Sequence, residues 1–121
     1  MRHIELGEMQ AKFADIVWRE EPISSGELVK ICENELNWKK PTTYTVLRKL
    51  CEKGLFQNTD GIVTSKCSRD EFNAIQSQQY VDQSYNGSLP AFIAAFTSQK
   101  RLSKKEVDEI QKIIDEFRKG V

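Results

Sequence analysis

The chain has 121 residues, of which 39% are hydrophobic and 30% are charged, so it can form a small domain with a thin core, and an oligomer is expected. Its longest apolar run, over residues 92–96, is too short to cross a membrane, which takes about 20 residues. The N-terminal residues lack the apolar segment of a signal peptide, so we expect a cytoplasmic protein.

Positive and negative charges balance over the whole chain, with 18 residues of each sign, but they are unevenly distributed. Residues 1–37 carry four Lys or Arg and eight Asp or Glu, whereas residues 38–53 carry five Lys or Arg and one Glu. A phosphate group responds to the charge near it and not to the isoelectric point of the chain. The short basic segment is therefore a candidate contact for nucleic acid.

The residue types needed for metal binding or catalysis are scarce. His3 is the one histidine, and Cys32, Cys51 and Cys67 are too far apart in sequence for a zinc motif. A Ser-His-Asp or Cys-His arrangement would depend on the terminal His3, and no glycine-rich phosphate loop is present. We therefore predict no enzyme, no metal site and no cofactor, with reduced cysteines that fill the core.

Two helices are predicted in the first 37 residues. The first covers residues 7–20 and ends before Pro22, because the residue preceding a proline avoids the helical conformation. The second begins at Ser24 or Ser25, since Ser24 and Glu27 have the spacing of a capping box. The apolar positions of the two helices are Met9, Phe13, Ile16, Val17, Leu28, Ile31, Cys32 and Leu36.

A third helix is predicted from Pro41 to Lys53, and two short strands, residues 55–58 and 62–65, follow it with the turn dipeptide Asp60-Gly61 between them. The inward positions of this helix are Thr43, Val46, Leu47 and Leu50. Its outward positions are Thr42, Tyr44, Thr45, Arg48, Lys49 and Glu52. Three helices followed by a hairpin are the element order of a winged helix-turn-helix domain.

The two tryptophans are predicted to be packing residues. Trp18 should close the core between the first helix and the hairpin. Trp38 should brace the start of the third helix, where its indole N–H can also reach a phosphate.

The chain after the hairpin has a helical pattern throughout, with Ser68, Ser88 and Ser103 as the predicted N-cap residues of three helices. These helices are too short to form a separate core. We therefore predict that they pair with a second copy of the chain, the alternative being that they fold back on their own domain. The predicted dimer contacts are Leu89, Phe92, Ile93, Phe96, Val107, Ile110, Ile113 and Ile114.

The predicted fold is thus mainly α with a small β-hairpin. A winged helix-turn-helix DNA-binding domain would occupy residues 1–68, and a helical dimerisation region would occupy residues 69–121.

The third helix carries side chains suited to the major groove of DNA. Arg48 can make a forked contact with guanine or phosphate, and Thr42 and Thr45 can hydrogen-bond to phosphates or bases. The alternative is a solvated amphipathic helix. The predicted DNA contacts are Lys39, Lys40, Thr42, Tyr44, Thr45, Arg48, Lys49 and, at the end of the hairpin, Lys66.

Two blocks of the sequence have the order and spacing of a known family. The first is Glu5-Leu6, Ile16-Val17-Trp18, Glu27-Leu28 and Trp38-x3-Thr42-x2-Thr45-Val46-x2-Lys49-Leu50-x2-Lys53-Gly54-Leu55. The second is Gly87-Ser88-Leu89-Pro90-Ala91-Phe92-Ile93-Ala94-Ala95-Phe96 with Leu102-Ser103-x2-Glu106-x3-Ile110. Together they span nearly the whole chain, which resembles the penicillinase-repressor family.

The resemblance implies a homodimeric transcriptional repressor with two winged helix-turn-helix heads, bound to a palindromic DNA operator near its target promoter. In beta-lactam-responsive members a membrane sensor triggers proteolysis in the dimerisation region, so a sensor protease or another inducing system is a further implied partner. Copper-responsive members carry a C-x-C motif near the C-terminus.

Three features differ from the family pattern. Residues 61–66 are mostly uncharged, where the family's wing usually carries a basic residue and alternating aromatics. Ala95-Phe96 stands in place of the asparagine–phenylalanine bond cleaved in beta-lactam-responsive members. The C-terminal segment lacks cysteine, so copper exchange through the usual motif is not predicted.

Two functions remain open from the sequence. The polar side of the third helix favours a sequence-specific DNA-binding repressor. The short wing and the zero net charge favour a winged-helix protein-interaction module with little or no DNA binding.

Overall fold

The computed structural model describes residues 3–120 and contains six helices and three short strands within them. Contacts along the chain divide it into two compact units, of which the first, here called the head, ends at Gln79 and the second begins at Tyr80. The elements are α1 (Glu8–Glu20), β1 (Ile23–Ser24), α2 (Ser25–Leu36), α3 (Lys40–Glu52), β2 (Phe56–Thr59), β3 (Ile62–Ser65), α4 (Arg69–Ser84), α5 (Leu89–Gln99) and α6 (Lys104–Lys119).

Short-range signals set the helix ends in the head. The Ser24 side chain accepts a hydrogen bond from the Glu27 N–H and so caps α2. Asn37 ends α2 in the left-handed conformation, with φ 58°, which asparagine adopts more readily than most residues. Pro41 lies in the first turn of α3, where its missing N–H costs no helical hydrogen bond.

The three strands form one antiparallel sheet in the order β1, β3, β2. Ile23 pairs with Val63, and Phe56 pairs with Ser65. The turn residues Asp60 and Gly61 both have positive φ, 51° and 80°, as a two-residue hairpin turn of type I′ requires. The hairpin is therefore present as predicted, whereas β1, only two residues long, was not predicted.

The core of the head is formed by residues from α1, α2, α3 and the sheet. Phe13, Leu28, Leu50, Phe56 and Val63 are almost fully buried. The winged-helix fold class predicted from the sequence is confirmed, because three helices and the hairpin share this core.

The tryptophans take the packing roles predicted for them. The Trp18 ring lies edge-on to Phe56 at 5.5 Å between centroids and also contacts Phe72 of α4 at 5.4 Å. Its indole N–H donates to the Cys67 carbonyl at 2.9 Å. Trp38 stacks on Phe13 at 5.8 Å, which holds the segment before α3 against α1.

The first part of α4 belongs to the head, since Phe72 and Ile75 pack against the core of the head. The boundary between units falls inside this helix, later in the chain than residue 68. The division into a DNA-binding part and a dimerisation part at residue 68 stays a prediction.

The second unit has little interior of its own. Neither α5 nor α6 contains a buried residue. Tyr80, Tyr85, Phe92 and Phe96 form a chain of ring contacts with centroids 5.6 to 6.1 Å apart. Large apolar side chains therefore remain accessible on both helices.

Replacing Trp18 with Phe tests the packing of the head. The Trp18→Phe variant keeps an aromatic ring beside Phe56 but removes the donor to the Cys67 carbonyl. A buried carbonyl without a partner costs about 1–3 kcal/mol, so the free energy of unfolding in urea should fall by about that amount. An unchanged unfolding midpoint would show that the hydrogen bond does not stabilise the head.

Candidate nucleic-acid interface

One side of α3 is fixed in the core and the other is exposed. Thr43, Leu47 and Leu50 are buried, and Val46 is half-buried. The exposed residues on the remaining surface include five of the predicted DNA contacts, Thr42, Tyr44, Thr45, Arg48 and Lys49. The structure thus brings these five side chains together on one helix surface.

The N-terminus of α3 has an unusual charge. Lys39 is the N-cap residue and makes no side-chain capping bond, and Lys40 is the first helical residue. No acidic residue lies in the first turn of α3, although acids stabilise helix N-termini. The other helices with first-turn acids carry Glu8, Glu27, Asp70 with Glu71, and Glu106. The start of α3 is therefore suited to an external anion.

Two polar side chains of α3 are held by local hydrogen bonds. The Tyr44 hydroxyl donates to the Ser25 Oγ of α2 at 3.2 Å, and the Lys40 Nζ lies 5.9 Å from the centroid of the Tyr44 ring. The Thr45 hydroxyl donates to the Pro41 carbonyl at 2.9 Å. Its oxygen can still accept a hydrogen bond, and its methyl group is available to a thymine methyl.

A cavity of about 340 Å³ lies between α3 and β2, lined by Tyr44, Leu47, Arg48, Cys51 and Asn58. Asn58 was not among the predicted contacts. It belongs to β2, where it pairs with Val63, and it lies on the same side of the strand as the buried Phe56, two residues earlier. An amide there can donate to or accept from a nucleic acid.

Lys66 lies at the base of the hairpin and not at its tip. Its N–H donates to the Leu55 carbonyl, directly after α3, at 2.8 Å. Its charge lowers the pKa of the Cys51 thiol, although burial has the larger effect and raises that pKa overall. Within the hairpin itself, residues 56–65, the charged side chain is that of Asp60, which lies at the turn and is negative. Lys66, at the end of the hairpin away from the turn, is therefore the residue through which the wing could make a positively charged contact with DNA.

Lys53, the last base of the positive segment, is directed to the protein itself. Its Nζ donates to the Glu5 carbonyl at 2.6 Å and lies 3.4 Å from the Gln10 Oε1. The charge of residues 38–53 is thus available mainly from the other four bases.

Several acids of the head are paired with arginine. The Arg19 guanidinium donates to Glu35 on α2 at 2.5 Å and to Glu20 at 2.7 Å. The hydrogen bond from Arg19 holds the pKa of the Glu35 carboxyl below its usual range. Arg69 pairs with Asp15.

The predicted dimer contacts lie on α5 and α6 as accessible apolar side chains. Phe92 and Ile110 are half-buried, and the other six are exposed, from 39% for Ile93 to 57% for Leu89 and Ile113. Phe117, not in the predicted set, is 74% exposed. Val107, Ile110, Ile114 and Phe117 have the 3-4-3 spacing of a helix-pairing seam.

Three further observations concern metal binding, a buried thiol and membrane-spanning helices. Residues 3–120 contain no group of three or more His, Cys, Asp or Glu that could hold a metal ion. Burial raises the pKa of Cys32 to about 11, which keeps that thiol protonated near neutral pH. Within the same residues, none of the helices has both the length and the apolar character needed to cross a membrane.

Comparison with known proteins shows which family this chain belongs to. The family model described as penicillinase repressor matches residues 6–116, which include both blocks of the resemblance. The chain belongs to the penicillinase repressor family. Its members are DNA-binding transcriptional repressors and not a class of enzymes.

A curated relative supports the assignment at low identity. The penicillinase repressor of Bacillus licheniformis is 22% identical over 118 residues, covering 94% of this chain and 92% of the relative. The family resemblance predicted from the sequence is thereby confirmed.

The environment of Cys51 predicts the order in which the thiols react. Cys32 and Cys67 are buried and Cys51 is half-buried, so Cys51 should react first with a disulfide reagent in the folded protein. Lys66→Gln should slow this reaction at pH 8, because loss of the positive charge raises the thiol pKa further. Lys12→Gln is the matched control, and a rate unaffected by Lys66→Gln would contradict the coupling.

Proposed function

We propose that this chain is a cytoplasmic, sequence-specific repressor that binds a palindromic operator as a homodimer, with α3 of each head in the major groove. The exposed polar surface of α3 is the observation that carries the proposal. A single helix fits the major groove, and the residues at its N-terminal end reach the base edges. The dimer bound to the operator would block transcription from the adjacent promoter.

The contacts divide into phosphate and base contacts. Lys39 and Lys40 at the start of α3 suit phosphates, because the helix dipole and both ammonium groups attract the same anion. Arg48 suits a base, because its planar guanidinium can donate two parallel hydrogen bonds to guanine. Lys49 is assigned to phosphate, since an ammonium group cannot make the forked contact.

Dimerisation is supported by the apolar surface of the second unit. Monomeric proteins seldom leave contiguous apolar patches of large side chains exposed. On α5 and α6 such side chains include Ile93, Phe96 and Ile114. A second copy of the same surface would bury them, as in a two-fold symmetric interface.

The wing supports a second candidate function, a winged-helix module that binds protein instead of DNA. Asp60 lies at the tip of the hairpin, and an acidic tip is repelled by a phosphate backbone. Such a module would leave the basic start of α3 unexplained.

A salt series on alanine variants tests the DNA contacts. The probes are a duplex from the protein's own promoter region and a random duplex. Lys39→Ala and Lys40→Ala should weaken binding to both and lower the salt slope by about one each. Arg48→Ala should cost about 1–3 kcal/mol on the promoter duplex and relax the preference at one base pair. Lys12→Ala on α1 serves as the control.

Equal losses on both duplexes for Arg48→Ala would remove its base-reading role. Unchanged affinity in every α3 variant would place the interface elsewhere. If the wild-type chain binds neither duplex even at low salt, the protein-interaction module is the better assignment.

The dimer is tested separately through Phe96, which is 45% exposed on α5. Phe96→Asp should shift the protein toward monomer in sedimentation, because burying such a side chain is worth about 1.5–3 kcal/mol and a carboxylate opposes it. Phe96→Leu keeps an apolar side chain and should remain dimeric. A dimer in both variants would exclude this position from the interface.

A further inference from the structure

The segment that precedes α1 lies against the head and is hydrogen-bonded to it. Residues 4–7, here called the strap, precede α1 and form no helix or strand. Ile4 is only 4% exposed and belongs to the core of the head. Polar side chains of other elements hold the backbone of the strap in place.

The first attachment is to α4. Gln79, which is 8% exposed, accepts a hydrogen bond from the Ile4 N–H at 2.5 Å and donates to the Ile4 carbonyl at 3.0 Å. The Gln76 side chain donates to the same carbonyl at 2.6 Å. A buried side-chain amide is costly unless both its ends are paired. Here the N–H and the carbonyl of one residue, Ile4, pair with both ends of the Gln79 amide.

The second attachment is to the end of the recognition helix. Lys53, the C-cap residue of α3, donates through Nζ to the Glu5 carbonyl at 2.6 Å. Gln10 joins the two, because its Oε1 accepts from the Gly7 N–H at 3.2 Å and lies 3.4 Å from the Lys53 Nζ. Adjacent strap residues are thus bound to α3 on one side and to α4 on the other.

We propose that the strap is a positioning device that holds α4 at a fixed direction relative to α3. It acts through Lys53, Gln76 and Gln79 and sets the half-site spacing that the repressor accepts. The inference rests on the proposed function, because half-site spacing has meaning only for a two-headed DNA binder. The helix α4 belongs to the head as far as Gln79, and the same helix continues to Ser84.

The physical reason is effective concentration. When one head of a dimer is bound, the second binds as an intramolecular event whose strength depends on how well its position is fixed. If α4 is held firmly in the head, the dimer binds one half-site spacing much more tightly than the others. If α4 is held loosely, the effective concentration of the second head at that spacing falls. The dimer then also binds other spacings, although no contact to DNA has changed.

The test uses Lys53→Met and Gln76→Met in the full chain. Both remove strap hydrogen bonds but leave Gln79 in place, so the core stays intact. Lys12→Met is the control, because Lys12 is an exposed lysine of α1 whose ion pair with Glu8 measures 3.9 Å. The probes are a duplex selected by the wild-type protein from a random pool, its single half-site, and versions with the half-sites moved by a few base pairs.

The expected result is unchanged affinity and salt slope on the single half-site, with about tenfold weaker binding to the selected duplex. The penalty for altered spacing should also shrink, which a general loss of stability would not produce. A wild-type spacing profile in both variants would overturn the proposal. A salt slope lowered by about one in Lys53→Met would also overturn it, since Lys53 would then be a phosphate contact.

Hydrogen exchange gives a readout that needs no DNA. Backbone amides over residues 72–79 should exchange faster in the two strap variants, whereas those of the buried part of α1 should be unchanged. Equal protection of α4 in variants and wild type would refute the strap. If the wild-type protein selects no duplex, the proposed function fails, and the exchange comparison still decides whether the strap holds α4.

Discussion

Packing of Leu47 and Leu50 into the core fixes the rotation of α3 about its own axis, and the geometry of the candidate interface follows from that. An α-helix turns by about 100° per residue, so two buried positions determine which side every other residue occupies. Thr45 and Arg48 therefore point outward because of two residues that are themselves buried in the core. Any change that rotated α3 in the core would move the whole polar surface at once.

The charges of α3 are difficult to explain by stability alone. Lysines at a helix N-terminus oppose the macrodipole and cost about 0.3–1 kcal/mol each where acids would stabilise by a similar amount. Lys39 and Lys40 are placed there without an acidic residue in the first turn. A bound phosphate would make this unfavourable interaction favourable, because its negative charge attracts both the ammonium groups and the helix N-terminus. If they contact phosphate as proposed, the same two residues weaken the free helix and favour the complex, and a chain of zero net charge can then bind DNA.

The sequence was sufficient for the elements that have strong local signals. Capping serines, Pro41 and the Asp60-Gly61 turn placed the helices and the hairpin, because each of these signals acts over a few residues. It was not sufficient for β1, whose two residues form a strand only by pairing with Val63 and Ile62. Such pairing depends on contacts far along the chain, which spacing within a segment does not show.

The direction of individual side chains also could not be predicted from the sequence. Gln79 has the appearance of a solvent-exposed residue in a polar helix, yet it is buried because the Ile4 peptide satisfies both ends of its amide. Lys53 has the appearance of another base of the positive segment, yet it donates to the Glu5 carbonyl. In both cases the partner is a backbone group near residue 5, and a backbone group leaves no signature in the amino-acid pattern.

These backbone partners also separate two properties that a repressor must combine. In the proposed dimer, affinity for one half-site would depend on side chains of α3, whereas selection of a pair of half-sites would depend on how firmly α4 is held within each head. The strap ties α3 to α4 through Lys53 and Gln79 without using any residue of the proposed DNA surface. Under the proposed strap role, variation in the strap would change which operators are accepted while the contacts to each base stay the same.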